Sequence, residues 1–345
     1  MATRRAVIDI GTNSVKLLVA DIDQNHVTPV WEGSKQTRLG RGFYQNNYLQ
    51  QQAIDDTARA VVEFRGLARE RQAATIRVIA TSAARDALNS HDLIRAVECA
   101  AGLKTEILSG QQEAALVFEG VTTDPRFGAE PLLLLDVGGG STEFILGQAD
   151  HQHFRQSYPL GSVRLMEQLP HSNPPRPDEL GACRQWVNRF LEKEVRPALE
   201  SALGLQKTQQ SNPLKESAQL ADSRYSEFLL VGAGGTAAIL ARIEAGLETY
   251  DRARIEAVRL SRARVQWHVE NLWGRSLELR KHIIGLPGSR ADVILTGAVI
   301  FEAVMDQLNF SELRVSTRGL RFAAVLGPIA TGRADSPSPC GRGPG

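Results

Sequence analysis

The run from Leu132 to Gly147, LLLLDVGGGSTEFILG, is the sharpest change of pattern in the chain: four leucines, Asp136 and Val137, three glycines, then strict alternation. Four leucines in a row predict a strand covered on both faces. Asp136 falls at its end, where a carboxylate stays hydrated or holds a cation. Gly138, Gly139 and Gly140 admit positive φ and let backbone N–H groups approach a ligand with no Cβ in the way. Beyond them Thr142, Phe144 and Leu146 share one face and Glu143, Ile145 and Gly147 the other, so the chain leaves the turn as a second strand. The segment reads as a phosphate-binding hairpin. It differs from a Walker loop, which needs a Lys-Ser/Thr pair opening a helix.

The same device occurs in Ala6 to Ile22, AVIDIGTNSVKLLVADI. Aligning Asp9 with Asp136 puts Gly11 on Gly138, Thr12 on Gly139, Asn13 on Gly140 and Ser14 on Ser141, at a constant offset of 127. One glycine-rich hairpin is usually an ordinary tight turn. Two matching copies, each after a buried strand ending in Asp, predict an internal duplication. By the same alignment Asp9 joins Asp136 as a candidate metal ligand.

Between and after the hairpins the pattern alternates strand and helix. Val27 to Trp31 predicts a strand, SKQTRLGRGF a polar loop, and Leu49 to about Arg71 a helix from the spacing of Ile54, Ala58, Val61, Val62 and Leu67. TIRVIA (75–80) is a short strand, followed by a short helix capped by Thr81 or Ser82 that carries Arg85. A guanidinium at a strand-to-helix junction sits where ligands collect in α/β sheets, although a surface arginine looks the same in sequence. A helix from Ser90 to Ala101 and a strand TEIL lead to Ser109 and Gln112, which have capping-box spacing and put Glu113 in a first helical turn. Further on, HQHFRQSYPL predicts a strand, Asp178 the start of a long helix to about Leu203, Phe228 to Val231 a strand, and GAGGT a third glycine-rich strand end, opening a helix at Thr236. Helices around 261–272 and 290–308, a strand at 313–315 and a helix in GLRFAAVLG follow. Residues 205–227 are polar and nearly patternless, so a mobile insertion is expected. The tail 331–345 is low-complexity and expected to be disordered.

Composition changes this picture little. The 345 residues are 42% hydrophobic and 23% charged, enough for two soluble domains with a core each. The formal net charge of +1 says little about partners taken globally. Locally, Asp251 to Arg290 holds nine Lys or Arg against four Asp or Glu, an excess of +5 that reads either as a solvated helix face or as a rim attracting a polyanion. The three cysteines have no CxxC spacing, and His151 and His153 form a lone HxH without a third ligand, so neither specifies zinc. The chain enters its first strand almost at once and has no apolar run of about 18 residues. A cytoplasmic protein without a signal peptide, membrane span or specific nucleic-acid partner is expected.

Taken together the motifs resemble the actin-like (ribonuclease H-like) ATPase superfold. Their combination is similar to the exopolyphosphatase / guanosine pentaphosphate phosphohydrolase family. The residues carrying this are DIGTNSVKLL from Asp9, TSAARDALN from Thr81, SGQQEAALVF from Ser109, DVGGGSTE from Asp136, GSVRL from Gly161, GAGGT from Gly232, GLPGSRADVI from Gly285 and VSTRGLR from Val315, in family order over nearly the whole chain. The resemblance implies an α/β fold of two actin-like domains with the active site in the cleft between them. The domains would be 1–126, with a C-terminal helix at 317–330 packing back on it, and 127–316, in the short form without further helical domains.

The resemblance also implies roles. The catalytic base of the family's GxEEA motif falls on Glu113, the phosphate-binding Arg of its TxAxR motif on Arg85, and the residues associated with Mg²⁺ and water on Asp136 and Glu143. Gly11, Thr12, Asn13, Ser14, Gly138, Gly139, Gly140 and Ser141 would hold the phosphate, with Asp9, Asp136 and Glu143 toward the metal. Two motif positions depart: the first Glu of GxEEA is Gln112, and the usual Arg-Glu-Gly near the end is Arg321-Phe322-Ala323. The expected reaction is Mg²⁺-dependent release of terminal phosphate from inorganic polyphosphate, with guanosine pentaphosphate as the alternative substrate, and a homodimer is left open. A kinase or ATPase of the same superfold and a non-catalytic polyphosphate sensor are the competitors, and a Glu at position 113 disfavours both.

Overall fold

The computed structural model describes residues 2–24, 26–204 and 224–327. The expected tail, and residues 205–223 of the expected insertion, lie outside them. The chain divides into two compact units, Met1–Ser109 with Arg321–Gly345, and Gly110–Leu320. Each has its own hydrophobic core.

The first unit contains β1 (Thr3–Ile10), β2 (Ser14–Asp23), β3 (His26–Gln36), α1 (Gln51–Glu70), β4 (Thr75–Ala80), α2 (Ser82–Asp86), α3 (Ser90–Ala101) and β5 (Thr105–Ile107). Its sheet runs β3-β2-β1-β4-β5, with β1, β2 and β3 antiparallel in turn and β1, β4 and β5 parallel. β3 is longer than the expected strand because pairing with β2 continues to Ser14↔Gln36 and takes in the start of the polar loop. Helices α1 and α3 pack together beside the sheet. Residues after the second unit return here: Arg321 Nη1 donates to the Leu17 carbonyl at 3.0 Å, and Arg77 Nη1 to the Ala324 carbonyl at 3.1 Å.

The second unit comprises α4 (Gly110–Thr122), β6 (Pro131–Val137), β7 (Thr142–Gln148), β8 (His151–Tyr158), α5 (Ser162–Gln168), α6 (Pro177–Phe190), α7 (Arg196–Ala202), β9 (Leu229–Ala233), α8 (Gly234–Glu244), α9 (Arg252–Ala257), β10 (Arg259–Ser261), α10 (Arg262–Trp273), α11 (Leu277–Lys281), α12 (Ile294–Gln307) and β11 (Glu312–Val315). Leu132 to Leu135 are fully buried, as four leucines in a two-sided strand require, and each contributes about 1.5–3 kcal/mol by leaving water. α12 is buried from Ile294 to Met305 and forms the centre of this core. The long helix expected from Asp178 starts at Pro177 instead. Proline is pre-organised for the first turn, and the Glu179 carboxylate accepts the Arg176 backbone N–H at 2.6 Å. α4 packs on β7 and β8, so it belongs with the second sheet, whereas the sequence reading kept it with the first.

The second sheet runs β10-β11-β9-β6-β7-β8. Leaving out β10, its order and strand senses repeat those of the first: β8-β7-β6 antiparallel, then β6, β9 and β11 parallel. The duplication read from two hairpins therefore extends to five strands in each unit.

Candidate active site

In the first unit the turn between β1 and β2 closes with the Gly11 N–H donating to the Ser14 carbonyl at 3.0 Å. In the second, the turn between β6 and β7 closes with Gly138 donating to Ser141 at 3.0 Å. The bond recurs at the offset of 127. None of these turn glycines adopts the expected positive φ. At two of them the need is for space: a Cβ on Gly11 would lie 3.2 Å from the Ser14 carbonyl oxygen, and one on Gly138 3.0 Å from that of Ser141.

The first turn is tied to the segment after β3. Thr12 accepts from the Gly40 N–H at 2.7 Å, and the Asn13 carbonyl from Thr37 and Arg38 at 3.2 and 3.1 Å. Asn13 Oδ1 takes Gln36 Nε2 at 3.2 Å, while its buried Nδ2 donates to no group among the described residues. A buried donor without a partner is costly, and an anion's oxygen would satisfy it. Asp9 lies opposite Lys16. Burial pushes its carboxyl above the ordinary range, and Lys16 and Arg321 pull against that shift. This carboxylate, assigned to metal from the sequence, is thus set among cations. Arg85, on α2 after β4, donates from Nη1 to the Leu108 carbonyl at 3.4 Å and holds Nε 3.5 Å from the Asp86 carboxylate.

In the second unit the carbonyls of the turn face the start of α5. Gly138 accepts from the Ser162 N–H at 2.9 Å, Gly139 from Val163 at 2.8 Å, and Gly140 from Arg164 Nε at 2.8 Å. Gly161 permits this approach, since a Cβ there would stand 2.4 Å from the Gly139 carbonyl oxygen. The GSVRL motif is thereby a support for the turn.

Pairing across β6, β7 and β8 sets Asp136 opposite Glu143 and Glu143 opposite Ser157. Glu143 is 1% exposed, and its Oε1 accepts both Ser141 Oγ at 2.8 Å and Ser157 Oγ at 2.7 Å. Ser141, expected to bind phosphate, is therefore engaged with a carboxylate. Glu113, in the first turn of α4, is also buried. Burial first, then the charges of Glu113 and Asp136, push the Glu143 carboxyl well above the usual range, and the two serine hydroxyls only partly oppose this. Two buried carboxyls, Glu113 and Glu143, and the half-buried Asp136 thus act on one another, and a cation would relieve their repulsion.

The other late motifs close around Asp136. Gly234, at φ 80°, would bring a Cβ within 2.1 Å of Asp136 Oδ1, and a Cβ on Gly319 would lie 3.9 Å from Oδ2. Thus GAGGT and VSTRGLR both deliver a glycine to one carboxylate. Among the described residues no group of three or more His, Cys, Asp or Glu side chains is arranged to hold a metal ion by itself. Mg²⁺ does not need one, because it keeps waters and phosphate oxygens beside one or two protein carboxylates. The opposed pair Asp136 and Glu143 fits that donor set.

The contacts of several residues around the site were not readable from the sequence. Ser157 is one hydroxyl in a polar alternating strand. Gly110, Gly161, Gly234 and Gly319 matter through partners distant in the chain. Three arginines of the basic stretch 251–290 pair with acids outside that span: Arg264 with Glu244 at 2.8 Å, Arg259 with Glu312 at 3.6 Å and Arg262 with Asp306 at 3.8 Å. Arg280 is buried and donates to the Arg275 carbonyl at 3.0 Å. Among the described residues no helix is long and apolar enough to cross a membrane.

The model of the Ppx/GppA phosphatase family matches residues 18–327. Exopolyphosphatase 2 of Mycobacterium tuberculosis is 32% identical over 330 residues, covering 90% of this chain and 95% of that protein. Exopolyphosphatase 1 of Mycobacterium bovis is 27% identical over 324 residues, covering 94% and 87%. Among solved structures, the Aquifex aeolicus PPX-GPPA enzyme has 26% identity and a TM-score of 0.72, covering 94% of this chain and 99% of that one. An exopolyphosphatase from Cytophaga hutchinsonii, 24% identical with a TM-score of 0.79 over 94% and 97% of the two chains, shares the fold.

Proposed function

The chain belongs to the Ppx/GppA phosphatase family and is a hydrolase of the actin-like α/β fold, and we propose that it is an exopolyphosphatase, removing the terminal phosphate of inorganic polyphosphate in the cytoplasm by attack of water. The observation that carries this reading is the cluster of Glu113, Glu143 and Asp136 in the second unit, the first two buried and Asp136 opposite Glu143 across the hairpin. The names of the relatives at 32% and 27% identity favour polyphosphate as the substrate.

Glu113 is assigned the general base. It takes a proton from water as the oxygen attacks the terminal phosphorus, the anhydride P–O bond breaks, and orthophosphate leaves with the chain one phosphate shorter. Asp136 and Glu143 would hold Mg²⁺, which when bound offsets negative charge on the phosphate oxygens. The N–H groups of residues 12–14 and 139–141, the hydroxyls of Thr12 and Ser14, the buried Nδ2 of Asn13, and Arg85 are assigned to the phosphate itself. No side-chain nucleophile is required.

The test is orthophosphate release from long-chain polyphosphate with Mg²⁺. Loss of one phosphate at a time from the chain end supports the reading. Internal cleavage, or no release from polyphosphate while guanosine pentaphosphate is hydrolysed, overturns it.

A further inference from the structure

We infer that Ser157 is a positioning residue for the hydrolysis, fixing Glu143 and the helix that carries Glu113 in one relation. The inference rests on the hydrolase reading above and goes beyond it, since none of the family motifs includes this serine. Two hydroxyls, Ser141 Oγ at 2.8 Å and Ser157 Oγ at 2.7 Å, converge on a single oxygen of Glu143. Among the described residues both side-chain hydrogen bonds to that carboxylate fall on Oε1. Donors on one oxygen fix the rotation of the carboxylate and turn Oε2 to other work, either a cation or the attacking water. Ser141 comes from the same hairpin and moves with Glu143. Ser157 comes from the next strand, opposite Glu143 in the β7–β8 register, and so ties the carboxylate to an independent element.

That element also sets α4. A Cβ on Gly110, the first residue of α4, would stand 2.6 Å from the Ser157 Cβ, so the helix begins directly against this serine. One residue on, Gln111 Nε2 donates to the Arg155 carbonyl at 3.2 Å, and Arg155 Nε donates to Gln111 Oε1 at 3.2 Å. Glu113 follows within the same turn of α4. Ser157 is thus the point at which the strand holding Glu143 and the helix holding Glu113 are referred to each other, one by a hydrogen bond and the other by contact. A hydroxyl bonded to a carboxylate suits both needs: it is small enough for the glycine and polar enough for the acid.

The experiment is a double-mutant cycle on the full-length enzyme. Its four members are wild type, Ser157→Ala, Glu143→Gln and the double variant, assayed on the phosphoanhydride that the wild type cleaves fastest. A wrong assignment of polyphosphate then shows in the wild type, and a wrong assignment of Ser157 only in the cycle. Loss of a hydrogen bond to a charged group corresponds to about a 10-fold to 100-fold fall in kcat for Ser157→Ala, with KM within about twofold and an unchanged thermal midpoint. In the Glu143→Gln background the same change lowers kcat less than about twofold, because the oriented group is gone. A second variant, Gly110→Ala, presses on Ser157 without removing its hydroxyl, and also lowers kcat. An equal effect of Ser157→Ala in both backgrounds, or an effect on KM alone, would overturn the inference.

Discussion

Asp136 and Glu143 stand opposite each other across the second hairpin, and the matching positions of the first hairpin, 127 residues earlier, are Asp9 and Lys16. The duplicated frame thus carries an opposed pair of like charge in one unit and of opposite charge in the other. Lys16 and Arg321 moderate the buried Asp9, whereas Glu113 and Asp136 aggravate the buried Glu143. Burial and like charge favour the neutral form of Glu143, so a counter-charge would be needed to keep it ionised, whereas Asp9 already has cations beside it.

Glu113→Gln is expected to fold as the wild type does, keep its affinity for substrate and lose about 10²–10⁴-fold in kcat, the range for removing a general base. Steady-state rates with calorimetric binding of a non-hydrolysed analogue check both halves. Hydrolysis within threefold of wild type would remove Glu113 from the mechanism.

Asp136→Asn should raise the Mg²⁺ concentration needed for half-maximal rate more than it raises KM for substrate, because a hard cation prefers a carboxylate oxygen to an amide. The check is a magnesium titration at fixed substrate. An unchanged requirement would leave Asp136 a strand-end cap.

Gly234→Ala places a methyl group 2.1 Å from Asp136 Oδ1 at a residue with φ 80°. A left-handed alanine alone costs about 1–2 kcal/mol, so a lower melting temperature and reduced activity are expected together. Gly235→Ala is the control, since nothing lies within 4 Å of its Cβ position. Equal behaviour of the two variants would show that Asp136 is not crowded by this loop.

Two carboxyls of the second unit contribute to its acid lability. Burial would raise the Asp124 carboxyl, but hydrogen bonds from Arg126 outweigh it and hold it below the ordinary range. Glu179 is pulled down to about 2, chiefly by the Arg176 backbone N–H. Both folded values lie below unfolded ones near 4, so this stabilisation is complete above about pH 5 and is lost as the pH falls through the folded values. Asp124→Asn should therefore lower the urea midpoint at neutral pH, and the difference from wild type should shrink below about pH 4. A difference that is constant with pH would contradict the linkage.

Much of this was legible in the sequence because the hairpins are local. Asp9 and Gly11, or Asp136 and Gly138, carry strand end, turn and carboxylate within a few residues, and the turn-closing bond recurs where the alignment puts it. Arg85 and Glu113 were legible as first-turn residues after short strands, although their roles came through the resemblance. Ser157 was not, because its meaning depends on register across three strands. Gly161 and Gly234 could be seen as glycines in motifs, but the carbonyl and carboxylate they make room for lie in other segments. The basic stretch 251–290 has the same limit: Glu244, Asp306 and Glu312, which pair with three of its arginines, are outside the window in which its charge was counted.

The central claim is tested most directly by kcat/KM for long-chain polyphosphate, guanosine pentaphosphate and ATP, measured side by side with Mg²⁺ at two salt concentrations. The account predicts the highest value for polyphosphate, with orthophosphate as the small product, and a decline with salt, since a linear polyanion is held through many charged contacts. A higher value for guanosine pentaphosphate, or no effect of salt on polyphosphate hydrolysis, would contradict it.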